Sequence, residues 1–127
     1  MIAVDTSALM AIILNEPEAA ACVQVLQIEP ELVISAVTVA EALIVAEMRN
    51  VSAEMTKLLD GLGFEVVSVT PATARRVMDA YRKWGKGRNL ASLNFGDCFS
   101  YDTAKINACP LLFVGDDFRK TDLPSAI

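Results

Sequence analysis

The chain has 127 residues, 54% of them hydrophobic, with a mean hydropathy of +0.41 and a formal net charge of −5. That length fits one domain of about 100–150 residues, and the acidic balance argues against a general nucleic-acid binder, whose phosphate affinity comes from Lys and Arg. There is no His, and Cys22, Cys98 and Cys109 are odd in number without C-x-x-C spacing, which removes Ser-His-Asp and Cys-His chemistry and argues against a zinc site or a disulfide framework.

Ile2 to Val4 reads as a short buried strand, followed by a helix from Ser7 to about Leu14. The N-terminus has no basic n-region and carries Asp5 inside its apolar stretch, so it is not a signal peptide and the protein is expected in the cytoplasm. Ala8 to Leu14 is the longest apolar stretch, far short of the roughly 20 residues that span a bilayer. Asn15-Glu-Pro17-Glu18 opens a second helix to about Gln27, with Pro in the first turn and acids near the positive end of the macrodipole. Leu32 to Ser35 is a second strand, Thr38-Val-Ala-Glu41 opens a helix to about Arg49, and Ser52 to Leu62 is another. Phe64 to Val69 reads as a third strand, Thr70-Pro71 as the start of a long helix to Trp84, and Gly85-Lys-Gly-Arg-Asn89 as a loop. A helix from about Asp97 to Asn107 and a last strand from Leu111 to Val114 complete the chain. This alternation predicts an α/β fold, a mainly parallel central sheet flanked by helices.

Four acids, Asp5, Glu41, Asp97 and Asp117, adjoin strand ends or helix starts. In an open α/β sheet, functional groups collect beyond the carboxyl ends of the strands. Each acid has a structural rival. Thr38-x-x-Glu41 matches a capping box, Asp97 suits the first turn of its helix, and Asp116 with Asp117 can form a turn. Asp5 is harder to explain away, because an acid breaking an apolar run gains nothing from packing and costs desolvation. Converging carboxylates repel one another unless a cation neutralises them, and hard oxygen donors without His or Cys select Mg²⁺ or Mn²⁺. Such a metal can activate water and screen phosphate charge during in-line displacement, which suits phosphodiester hydrolysis.

The substrate backbone then needs basic residues. Six of the 11 lie between Arg75 and Arg88, including Arg82, Lys86 and Arg88 as candidate phosphate contacts. The rival reading is a solvated helix face. Surplus apolar residues, Ala11 to Leu14 with Ile44, Val45 and Met48, suggest a homodimer and a partner groove, or plain core.

Taken together, Val4-Asp-Thr-Ser-Ala-Leu9, Glu16-Pro-Glu18, Glu41, Gly85-Lys-Gly-Arg88, Leu93-Asn-Phe-Gly-Asp-Cys98 and Pro110-Leu-Leu-Phe-Val-Gly-Asp-Asp-Phe118 with Thr121-Asp122 span nearly the whole chain. In order and spacing they resemble the PIN-domain ribonucleases, and within them the VapC-type toxins of bacterial toxin–antitoxin pairs. The resemblance implies one PIN domain over residues 1–127, a metal-dependent endoribonuclease restrained by a cognate VapB-type antitoxin. It implies Asp5 and Asp97 as principal Mg²⁺ ligands, with Glu41 and Asp117 beside them and Asp116 in a more variable neighbouring position. Thr6 and Ser7 match polar residues of the same pocket, and Thr121 and Asp122 a motif that orients the site or stabilises a turn. Asn89, where many relatives have His, and Asp102-Thr103, in a usually more apolar helix, depart from the pattern. Two other readings stand beside it: a receiver-type phosphoacceptor domain, which normally has paired acids near the N-terminus, and a catalytically silent PIN-like binding module.

Overall fold

The computed structural model describes residues 1–127. Short apolar segments that must bury both faces pair in parallel: β1 (Ile2–Val4), β2 (Leu32–Ser35), β3 (Glu65–Val67) and β4 (Leu111–Leu112), in the order β3-β2-β1-β4. The register sets Ile2 beside Leu32, Ala3 beside Val33 and Leu111, and Val4 beside Leu112.

Between the strands run α1 (Thr6–Ile13), α2 (Ala19–Ile28), α3 (Ala36–Met48), α4 (Ser52–Gly61), α5 (Pro71–Trp84) and α6 (Phe95–Ile106). Because strand side chains alternate between faces, Ile2, Val4, Leu32, Ile34 and Leu112 enter one core with Leu9, Cys22, Leu26, Ala46 and Met55 of α1 to α4. Ala3, Val33 and Leu111 enter the other with Val77 and Ala80 of α5 and Phe99 and Ala104 of α6. No helix is long and apolar enough to cross a membrane. The chain leaves β1 for β2 on one side, yet returns through α5 and α6 to add β4 on the other. The carboxyl end of β1 is therefore the switch point of the sheet, the place where such folds bind ligands.

Several boundaries differ from the sequence expectation. Ser35 serves as both last strand residue and N-cap, its hydroxyl accepting from the Val37 amide, so α3 begins at Ala36 and Thr38 lies in its first turn. The Thr38–Glu41 capping box does not form. The second helix starts at Ala19, after Asn15 has taken a φ of 52° and Glu18 has capped without a side-chain bond. An edge strand with a partner on one side only, β3 keeps three residues of the expected six, Glu65 to Val67. Asn94 caps α6, which begins at Phe95, two residues before the expected start. The expected N-terminal signal of α5 is present, with Pro71 behind a Thr70–Thr73 capping box.

Of the apolar partner candidates, Ala11 is buried, Ile12 to Leu14 and Val45 are half-buried, and Ile44 and Met48 face outward on α3, 62% and 75% exposed. Arg76 does not join a free basic strip: its guanidinium forks onto nearly buried Asp102, Nε to Oδ1 at 2.8 Å and a terminal nitrogen to Oδ2 at 3.2 Å, strapping α5 to α6. Removing one partner leaves the other charge under-paired, and Arg76 is half in solvent, which reduces the loss. Arg76→Ala should cost about 1–3 kcal/mol, read as a lower urea midpoint at unchanged slope. An unaltered midpoint would show that the strap contributes nothing.

Candidate metal centre

Asp5 stands immediately after β1, 3% exposed, as the N-cap of α1. A carboxylate so deep needs donors. Its Oδ2 accepts from the Ser7 amide at 3.0 Å and the Ser7 hydroxyl at 2.7 Å, and its Oδ1 from the Ser100 hydroxyl of α6 at 2.6 Å. Ser7 Oγ in turn accepts from the Val114 amide at 3.1 Å, and Ser100 Oγ lies 3.1 Å from Thr38 Oγ1 of α3.

Glu41 projects from the second turn of α3 rather than capping it, and its Oε1 accepts from Thr6 Oγ1 at 2.5 Å. Gly96 of α6 packs directly on this carboxylate, where a Cβ would collide with Glu41 Oε2. It is Asp97 that forms a capping box: its carboxylate accepts from the Asn94 amide at 3.0 Å while Asn94 accepts from the Asp97 amide at 2.9 Å. Asp117 is exposed at the head of the single 3-10 turn Phe118–Lys120.

These acids feel one another. The Asp97 carboxyl is pushed up to about 7, first by burial and then by Asp5, Glu41 and Asp117, against the Asn94 hydrogen bond. Burial is also the main reason Glu41 is raised; the Thr6 hydroxyl opposes it and Asp5 adds to it. Asp116 is absent from the groups acting on Asp97, and its carbonyl accepts from the Arg119 amide. No three acidic or cysteine side chains are close enough to ligate one ion directly. That spacing suits a hydrated hard cation. Mg²⁺ keeps several waters and takes only one or two carboxylates directly, and carboxylates raised by burial and by neighbouring acids gain from a divalent charge.

The remaining candidates divide. Thr6 and Ser7 are in the cluster through Glu41 and Asp5. The Thr121 hydroxyl is spent on its own turn, donating to the Phe118 carbonyl at 2.6 Å, and Asp122 accepts from Tyr101 and Lys105. Arg82 is exposed and paired with Asp79 at 3.6 Å. Lys86 and Arg88 are exposed in a loop closed by the Lys86 amide on the Leu93 carbonyl, one residue before the α6 cap. Lys120 Nζ reaches the Leu90 carbonyl at 3.4 Å, so the tip of that loop lies against the turn that follows Asp117. Sequence reasoning missed Ser100, Thr38, Gly96 and Lys120.

The class defined is an α/β domain with coupled carboxylates around the switch point of a parallel sheet. A family model described as PIN domain matches residues 2–123, and the chain belongs to that family. Its relatives are VapC proteins: it is 43% identical over 124 residues to Ribonuclease VapC36 of Mycobacterium tuberculosis, covering 94% of this chain and 89% of that one. It is 40% identical over 123 residues to Ribonuclease VapC of Mycolicibacterium smegmatis, covering 94% and 95%. The fold is shared with Mycobacterium tuberculosis VapC20, a Sarcin-Ricin loop cleaving toxin, at a TM-score of 0.79 and 15% identity over 97% of this chain and 96% of that one. A toxin–antitoxin complex from Klebsiella pneumoniae aligns at 0.72 and 18% identity over 96% and 93%.

Two outcomes follow from the geometry. A carboxyl raised from 3.8 to about 7 keeps its proton in the fold over that window while the unfolded chain releases it. Its stabilising contribution is therefore complete below about pH 4 and lost as pH rises through 7. Asp97→Asn, whose amide oxygen can still accept from Asn94, should raise the melting temperature of metal-free protein at pH 8 by about 3–5 °C, with Asp97 partly solvated. At pH 5, part-way through that window, the gain should be less than half as large. An equal shift at both values would mean that the raised carboxyl is not the cause. Gly96→Ala should leave melting nearly unchanged, because the flexible end of Glu41 can swing away. It should weaken Mn²⁺ binding about ten-fold, measured by calorimetry, an order typical of losing one supporting group at a metal site.

Proposed function

We propose that this protein is a Mg²⁺- or Mn²⁺-dependent endoribonuclease, the toxin of a VapBC-type pair, hydrolysing RNA phosphodiester bonds. The observation that carries the reading is the gathering of carboxylates at the switch point, where Ser7 and Ser100 hold Asp5, Thr6 holds Glu41 and Asp97 feels the charges of Asp5, Glu41 and Asp117, in a chain whose relatives are named ribonucleases. When bound, the divalent ion supplies Lewis acidity and offsets the charge that builds up on a phosphodiester under in-line attack.

The chain's own groups do the rest. Asp5 is locked in one orientation by Ser7 and Ser100, so it offers the cation a fixed carboxylate without reorganising. Glu41 is aimed by Thr6. Asp97, its carboxyl pushed up to about 7, would give up its proton to hold a divalent ion, so affinity for the ion should tighten as pH rises. Asp117, on an exposed turn, closes the open side of the cup, with Asp116 as its outer neighbour. Arg82, Lys86 and Arg88 are exposed cations that hold the RNA backbone, and Lys120 joins them beside the loop tip. The outward apolar residues Ile44 and Met48 of α3 are offered to a cognate VapB-type antitoxin or to a second copy in a homodimer, and the setting is the cytoplasm.

Protein purified free of any antitoxin should cleave RNA with Mg²⁺ or Mn²⁺ and not in EDTA. Asp5→Asn and Asp97→Asn should each lower the rate by about 10²-fold or more, the order seen when a charge-stabilising group is removed, with folding checked by circular dichroism. Cleavage that persists in EDTA, or full activity in Asp5→Asn, overturns the reading.

A further inference from the structure

Phe95 is the only aromatic side chain among the large exposed apolar residues, 73% exposed at the first position of α6. It is two residues from Asp97. Its ring and that of Phe99 form a T-shaped pair with centroids 5.1 Å apart, which holds the ring in place while most of it stays in water. The ring borders a hollow of about 280 Å³ lined by Ala74, Val77, Met78, Tyr81 and Cys98. Nothing in the fold uses this surface, and a ring left in water forgoes the burial that a core position supplies.

Charge identifies what covers it. Tyr81 lines the hollow and donates its hydroxyl to the Lys86 carbonyl at 2.9 Å, so the wall runs directly into the basic loop. Arg82 adjoins Tyr81, and Lys86 and Arg88 are exposed beyond it. The apolar wall thus meets the basic loop at Tyr81, and at Cys98 it lies close enough to Asp97 to feel that charge. An apolar cleft beside backbone-binding cations fits unpaired nucleic acid, whose bases stack on aromatic rings while phosphates meet Lys and Arg.

We propose that this hollow seats one unpaired nucleobase of the RNA substrate, stacked on Phe95, so that an adjoining phosphodiester is delivered to Asp97. The assignment rests on the ribonuclease reading above. It adds a positional requirement: an intact base next to the scissile bond. Because the stack exists before and during reaction, it acts on binding, as uniform binding does.

The test uses full-length protein freed of antitoxin, Mn²⁺ and a labelled single-stranded RNA that the wild type cuts at one site. Phe95→Ala should raise KM about ten-fold at little-changed kcat, the order of one aromatic–base stack, and Phe95→Trp should restore it. Met78→Glu, which places a carboxylate in the hollow from an exposed α5 position, should raise KM in the same way. An abasic nucleotide beside the scissile bond should impair the wild type by the same factor and leave Phe95→Ala unaffected. Independent, multiplying penalties would overturn the stack, as would an unchanged KM in Phe95→Ala. A change in solution mass by light scattering without a change in KM would assign the face to a second copy or a protein partner instead. If the wild type cuts no RNA in Mn²⁺, the ribonuclease reading fails; if it cuts and Phe95→Ala matches it, only this inference does.

Discussion

The buried carboxylate of Asp5 is the reference point for the rest of the molecule. At 3% exposure it would be costly without donors, and its donors come from separate parts of the chain. Ser7 belongs to α1, Ser100 to α6, and through their hydroxyls the Val114 amide after β4 and Thr38 of α3 join the same network. No buried side-chain polar atom in the protein lacks a partner. A fully satisfied network of this kind specifies one arrangement more sharply than apolar packing alone. The bonds that make Asp5 tolerable also fix the angle at which α3 and α6 bring Glu41 and Asp97 toward it.

Stability and site pull in opposite directions at α6. Asp97 contributes to the helix start through its bond with Asn94, and an acid there also suits the macrodipole. Its burial among Asp5, Glu41 and Asp117 works against the charged form strongly enough to raise it to about 7. Such a residue is retained at the expense of stability, as is common where function needs a strained or repelling group. Gly96 is part of the same compromise, since only a residue without Cβ lets the helix approach Glu41.

Much of this was readable from residue order. Strand positions, the parallel sheet and Asp5 as an acid with no packing role all follow from short apolar runs that end in polar residues. The helix starts of α3 and α6 were displaced by two residues for one physical reason. An N-cap has extended backbone, φ −68° and ψ 142° at Ser35, so it looks like the last residue of a strand. Thr38 therefore looks like a cap from the sequence although it lies inside α3, and the capping box that forms is that of Asn94 with Asp97. Ser100 and Gly96 were invisible for a different reason. Their importance lies in what faces them across the fold, 95 residues away for Ser100 and Asp5, and no local pattern encodes that.

The basic strip shows how counting charges can mislead until pairing is known. Of the six cations between Arg75 and Arg88, Arg76 is consumed by Asp102, Arg82 shares its charge with Asp79, and Lys83 lies 5.0 Å over the Trp84 ring. What remains for a polyanion is Arg75 on α5 and the loop cations Lys86 and Arg88, with Lys120 tethered to the loop tip. That loop is anchored at both ends by backbone bonds between Trp84, Lys86 and Leu93, and the α6 cap follows at once. Chain connectivity thus sets positive charge immediately ahead of Asp97 on a protein that is acidic overall. A net charge of −5 is in this arrangement compatible with a phosphodiester substrate, because the sign that matters is the one beside the site.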